Sequence, residues 1–275
     1  MRDLLYFLET AKHPTFTQAA KAAHLSQPAL TAAMQRLERE VNAKLFARGP
    51  KGTELTDAGR ILFQHANAIV NEFEVAKQEI EELNGLLRGR VRIGAGTTAA
   101  TYLLPPMLML FRRKHPNIEL QMREESSDAL RFSIETGTLD LAIVAEAVGV
   151  PWRTDELIVV ASPKFDTAIP LAEGPFVAFP RGGASRIALD TLFPRAKIVV
   201  EVASIASLKA NVRAGLGRAL LSRVAVEREL TRGELVEIRT STTPIRRQFR
   251  ALYRDPKSLS PAARAFLQML RENRV

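Results

Sequence analysis

The sequence predicts an α/β protein with an all-α, winged head and a long connecting helix. Three observations lead there. Residues 1–60 carry three short amphipathic segments and a Gly/Pro/Lys hairpin tip; residues 57–87 contain no proline and hold a 4-3 apolar spacing; beyond Gly85–Gly89 short apolar runs alternate with helical ones. A chain of 275 residues is long enough for more than one domain.

In the head, Leu4, Phe7, Leu8 and Ala11 follow the i, i+3, i+4, i+7 spacing of a helix with one buried face. His13-Pro14 ends it, because the residue before proline is pushed out of the helical region. Thr17 is expected to cap a second helix, Gln18 to Ala23, whose alanines permit close approach of a neighbour. Ser26 is a good cap for a third helix, with Gln27 and Pro28 in its first turn, where a missing N–H costs little. That helix is expected to bury Leu30, Met34, Leu37 and Val41. Its opposite face carries Gln27, Pro28, Thr31, Ala32, Gln35 and Arg36, and Asn42 suits a left-handed stop. The run from Leu45 to Thr56 reads as a hairpin whose tip can reach a phosphate or a minor groove.

The connecting helix places Leu62, Ala66, Ile69, Phe73, Ala76, Ile80, Leu83 and Leu87 on one seam. Thirty residues of helix would run about 45 Å. A sixty-residue head cannot cover such a stripe, so a second copy of the chain is the natural partner; packing on the chain's own C-terminal region is the alternative. Behind it, nine candidate strands and six candidate helices alternate, which argues for mainly parallel sheets.

Composition limits the function. With 46 % hydrophobic and 25 % charged residues the chain is of folded type. Charges interrupt every apolar run, so no membrane span is expected, and the N-terminus lacks the apolar region of a signal peptide. A cytoplasmic protein is expected. There is no cysteine, and the histidines at 13, 24, 65 and 115 show no ligand spacing, so neither a metal nor a cofactor is expected. The net charge of +9 is uneven. Residues 1–60 carry nine basic against six acidic side chains, 61–87 one against five, and 88–275 twenty-nine against nineteen. A basic balance suits a polyanion, but most of the surplus lies outside the head.

The motifs resemble those of the LysR-type transcriptional regulators. In the head these are Phe16-Thr17-Gln18-Ala19-Ala20, Leu25-Ser26-Gln27-Pro28-Ala29-Leu30-Thr31, Leu37-Glu38, Leu45-Phe46-Ala47-Arg48 and Leu55-Thr56-Asp57-Ala58-Gly59. Behind it, Arg88-Gly89-Arg90-Val91-Arg92-Ile93-Gly94, Leu104-Pro105-Pro106, the run Phe111 to Ile118, Gly137-Thr138-Leu139-Asp140-Leu141-Ala142 and Gly215-Leu216-Gly217-Arg218 extend the match over essentially the whole chain. The resemblance implies a winged helix-turn-helix at 1–60, a dimerising linker helix at 61–87, and an effector domain at 88–275 of the type-2 periplasmic-binding-protein fold. Lobe I is expected at 88–161 and 245–275, lobe II at 162–244. Homodimers or homotetramers on double-stranded DNA follow, the dimer seam including Leu62, Ile69, Phe73, Ile80 and Leu83. By position, Gln27, Pro28, Thr31 and Gln35 would face the DNA, Arg36 its backbone, and Arg48 and Lys51 would be wing contacts. Arg48 can equally brace the wing through a carboxylate. Family members often carry arginine where Ala32 stands here; a bidentate arginine–guanine contact is worth roughly 1–3 kcal/mol, so less arginine readout is expected.

The resemblance also places the loop after the first effector-domain strand in the effector cleft. Thr97 and Thr98 sit there at a helix start, which favours anions. Ser126, Ser127, Ala145, Arg181 and Ser204 lie across it, although such hydroxyls are equally ordinary helix caps. A small anionic effector is expected, a carboxylate or an oxyanion. Arg112, Arg113, Arg246 and Arg247 are alternatively plain surface. Gly94-Ala95-Gly96-Thr97-Thr98-Ala99 matches a loose dinucleotide fingerprint, a weak signal by itself. No nucleophile elbow, zincin motif or full P-loop is present, which argues against an enzyme. A plain solute-binding protein is the alternative, and the fused head weighs against it.

Overall fold

The computed structural model describes residues 1–49, 52–83, 89–166 and 169–274. The head holds α1 (Arg2–Thr10), α2 (Phe16–Ala22), α3 (Gln27–Glu40) and the strands β1 (Phe46–Gly49) and β2 (Gly52–Leu55). Thr15, not Thr17, caps α2, its hydroxyl accepting from Gln18 N at 3.2 Å. The helix starts earlier than its alanines suggested, because Phe16 packs inward against Phe46 at 5.5 Å. Ser26 caps α3 as expected, accepting from Ala29 N at 3.3 Å. His24 and Asn42 take the left-handed conformation just past α2 and α3, at φ 55° and 50°. Val41 is exposed, since α3 ends before its side chain can turn inward, and Ala33 joins Leu30, Met34 and Leu37 in the core instead.

The wing is fastened next to its tip. Thr53 N donates to Pro14 O at 2.8 Å. Gly52, at φ 118°, lies where a Cβ would come within 2.3 Å of that same carbonyl, so only glycine fits.

The long helix α4 (Asp57–Leu83) starts inside the segment assigned to the head. Its apolar residues divide between two faces. Leu62, Ala66 and Val70 pack into the head core with Phe7 and Leu30. Leu62 is therefore not a free seam position. Further along, Ile69 and Phe73 are 46 % and 53 % exposed, and Ile80 is exposed too, because the head core has ended. The chain's own effector domain takes a different face: Val75 is buried, and Glu79 accepts from Arg264 at 3.0 Å. The side chain of Leu83 and all of Leu87 lie outside the described set.

The rest is a two-lobed α/β domain built on β3 (Gly89–Ala95), α5 (Leu104–Lys114), β4 (Ile118–Glu124), α6 (Ser127–Glu135), β5 (Leu141–Val144), β6 (Val150–Ala161), β7 (Pro175–Ala178), α7 (Ala184–Leu192), β8 (Lys197–Glu201), α8 (Ile205–Arg213), β9 (Ala219–Ser222), α9 (Arg223–Thr231), β10 (Val236–Ile238), β11 (Ile245–Leu252) and α10 (Pro261–Glu272). A π-helical turn, Ala99–Leu103, precedes α5.

In the first lobe β3 runs parallel to β4 and β5, and β11 closes the order antiparallel to β5. In the second, β9 and β10 flank the far half of β6, and β7 joins β9 through the Phe176–Arg218 bridge. The two antiparallel strands β6 and β11 are common to both lobes, paired from Ile245–Leu157 to Ala251–Val150. The boundary expected after residue 161 thus falls within β6. That strand also begins earlier than its apolar run, since Trp152 and Asp155 are buried in it. Each lobe has its own core, centred on Phe111 and Phe266 in one and on Phe176 and Phe193 in the other.

Candidate nucleic-acid interface and effector cleft

The outer face of α3 is formed by its first turn and the positions one and two turns on. Gln27, Pro28, Ala32, Gln35 and Arg36 are exposed, and Thr31 is half-buried. Thr17 Oγ1 reaches across from α2 and donates to Gln27 Oε1 at 3.1 Å. Arg36 is held by α1: its Nε and Nη2 donate to the two oxygens of Asp3 at 3.1 and 2.9 Å. Glu38 points the other way and binds the chain entering the wing. It accepts from Leu45 N at 2.9 Å and Lys44 Nζ at 2.7 Å. Burial pushes its carboxyl up, but Lys44 and the backbone N–H groups outweigh that and hold it below its ordinary value. Arg48 lies on β1 opposite Thr53, with its side chain outside the described set, as is the whole of Lys51.

Between the lobes lies a cleft of about 350 Å³. The ends of three parallel strands form one wall, with Thr97 and Thr98 after β3, Glu124 to Ser127 after β4, and Val144 and Ala145 after β5. Phe179, Pro180, Gly183 to Arg186 and Ala203 form the other, and Arg247 and Phe249 of β11 form the floor. Of the expected effector residues, Thr97, Thr98, Ser126, Ser127 and Ala145 therefore share one cavity. Arg181 and Ser204 do not line it. Arg181 is exposed, and Ser204 accepts from Ser207 N at 3.1 Å as the cap of α8. Ser126 does both, lining the cleft while capping α6.

Sequence reasoning missed the charged floor. Arg247, set aside as a possible surface arginine, is largely buried; its Nε donates to Asp155 Oδ2 at 2.7 Å and its Nη2 to Thr98 Oγ1 at 3.3 Å. Asp155 is 7 % exposed and also accepts from Ser222 Oγ at 2.7 Å. The signal was present in the two-residue alternation of β11, which puts Arg247 on the face of buried Phe249. Arg186 was missed too. It is buried between Asp190 and Glu201, both at 2.9 Å, and the Asp190 hydrogen bond raises its pKa above the ordinary arginine value. The basic surplus of the region is thus not concentrated here: both cleft arginines carry internal carboxylate partners, and Glu124 and Glu125 stand beside the threonines.

No histidine lines the cleft. His115 ends α5 in contact with Phe111, and burial lowers its pKa. Among the described residues there is no cluster able to hold a metal, and no helix is long and apolar enough to cross a membrane.

A winged three-helix head, a long helix with an uncovered apolar stripe and a cleft between two lobes define a ligand-responsive DNA-binding regulator. Residues 1–60 match the family model described as "Bacterial regulatory helix-turn-helix protein, lysR family", and residues 84–274 match "LysR substrate binding domain". The chain belongs to the LysR family of transcription regulators. It is 32 % identical to the RuBisCO operon transcriptional regulator of Allochromatium vinosum, over 98 % of this chain and 95 % of that one. Among solved structures it is similar to ArgP from Mycobacterium tuberculosis, at a TM-score of 0.73 and 19 % identity, over 99 % of this chain and 96 % of that one. It is also similar to the CcmR regulatory domain of Synechocystis in complex with 2-PG. There the TM-score is 0.61 and the identity 26 %, over 67 % of this chain and 97 % of that domain.

Proposed function

We propose that this regulator grips operator DNA as a homodimer, or as a homotetramer made of two such dimers, and that a small anionic effector in the cleft changes how its heads are placed. The observation that carries this reading is the pairing of an exposed α3 face with a cleft whose floor strands belong to both lobes. The working units are the head at 1–60, the linker helix at 61–87 and the effector domain at 88–275. Gln27, Pro28, Thr31 and Gln35 lie in the major groove, while Arg36, Arg48 and Lys51 serve the DNA backbone. The dimer forms on the uncovered part of α4, around Ile69 and Phe73. Its place of action is the cytoplasm, and it performs no catalysis.

The effector's anionic group lies against Thr97, Thr98 and the Arg247 floor, because Glu124 and Glu125 repel it from the end of β4. The complex of the Synechocystis relative makes 2-PG the first compound to try. A gel-shift titration on the DNA upstream of the chain's own gene, with and without 2-PG, tests the whole reading. Gln27→Ala or Thr31→Ala should weaken specific binding about tenfold or more and leave the assembly seen by size-exclusion chromatography unchanged. Unaltered binding in both variants would remove α3 from the interface.

A further inference from the structure

We propose that Thr17 sets the base preference of Gln27 by fixing which end of its amide faces the DNA. The proposal rests on the reading of Gln27 as a base contact. Gln27 is the first residue of α3, the end of a recognition helix that enters the groove. Its carbonyl oxygen accepts the Thr17 hydroxyl at 3.1 Å, from the first turn of α2. An amide held this way turns its oxygen toward the protein and its NH2 group outward. It then presents its N–H donors to the groove, while the oxygen, with one of its two lone pairs taken, is turned away.

Thr17 has reason to keep the bond. A helical threonine ordinarily donates to the carbonyl four residues back, but for Thr17 that residue is His13, which precedes the helix. Gln27 Oε1 is the acceptor its hydroxyl has found. If the amide turned over, the hydroxyl proton would lose that acceptor just as DNA removed the surrounding water.

The consequence follows from the base edges. Adenine is read by glutamine through both ends of the amide, N7 taking a donor and N6–H₂ needing an acceptor. With its oxygen turned toward Thr17, Gln27 is poorly placed to complete that pair. Guanine, with N7 and O6 both acceptors, and thymine, with O4, suit an outward NH2; cytosine, which presents a donor, is disfavoured. Because Ala32 offers no arginine to α3 and Arg36 is tethered by Asp3, this amide carries an unusual share of the readout.

The test is selection of the full chain against a randomised duplex library, comparing wild type with Thr17→Val, Thr17→Ser and Gln27→Ala. Gln27→Ala identifies the base column that residue 27 reads, by flattening it. In that column wild type and Thr17→Ser should favour guanine or thymine over adenine by about fivefold or more. Thr17→Val, which keeps the shape and removes the hydroxyl, should cancel or invert the ratio. Thermal melting of each variant checks that the head stays folded, and the retained hydroxyl of Thr17→Ser supplies a control for shape. A column that Gln27→Ala flattens but Thr17→Val leaves unchanged would overturn the proposal and leave the DNA reading intact, as would a wild-type column favouring adenine. If Gln27→Ala flattens no column, the base-contact reading of Gln27 fails, and the proposal with it.

Discussion

At the scale of single residues, the cleft floor holds a buried ion pair, Asp155 with Arg247. Asp155 is buried and serves two partners, Arg247 and Ser222, which come from different strands. Removing one member of such a pair leaves a poorly hydrated charge, a loss of several kcal/mol when burial is complete. Arg247 borders the cleft, so water relieves part of it. Asp155→Ala should cost about 3 kcal/mol, read as a lower urea midpoint, while Asp155→Asn, which keeps an acceptor for Ser222, should cost less. Sequence reasoning saw neither residue as functional. The alternation of β11 marks the face of Arg247 but not what it meets there, since its partner lies 92 residues away on another strand. Thr97 and Thr98 were legible because their signal is local, a strand running into a helix start.

At the scale of elements, α3 is joined to the wing by Glu38. Its lowered pKa means that this bond contributes stability above the unfolded carboxylate value near 4.5, and that the contribution is lost as the pH falls through the lower folded value. Urea midpoints followed by circular dichroism should therefore fall more steeply with pH below 4.5 in wild type than in a head that lacks the Glu38 carboxylate. Glu38→Gln should be less stable at pH 7 and less sensitive to acid. The connecting helix gives a second expectation. Ile69→Asp with Phe73→Asp should convert the assembly to monomers in sedimentation and reduce operator affinity with it; a dimer that survives both would place the seam elsewhere. The 4-3 spacing made this helix easy to find, but not the division of its faces. Leu62 and Ile69 are a heptad apart and read alike; only the extent of the head core, set by Leu45 and Phe46 from outside the helix, separates them.

At the scale of the whole molecule, ligand and fold are linked by mass action. A compound that binds only the folded domain stabilises it by about 2.7 kcal/mol at a hundred times its Kd. 2-PG should accordingly raise the melting temperature of the full chain, and Arg247→Gln should abolish the rise. A rise that survives Arg247→Gln would place the anion away from the floor. The order of head, helix and two-lobed domain was readable from motif spacing, whereas the crossing of both lobes by β6 was not, because Pro151 and Arg153 break the apolar run that marks its second half.

The attachment of α4 to its neighbours has a mechanical result. Asn71 is hydrogen-bonded to Arg92 of β3, and Glu79 is tied to Arg264 of α10, so both ties fasten the helix to the first lobe. On the proposed reading, head and helix stay with the first lobe, and the second lobe is the part that moves when the cleft fills. Seen from the DNA, the moving surface is the one farthest along the load path. Its motion can be transmitted only through whatever rests against that second lobe, and in a symmetric assembly the available support is a neighbouring copy of the chain.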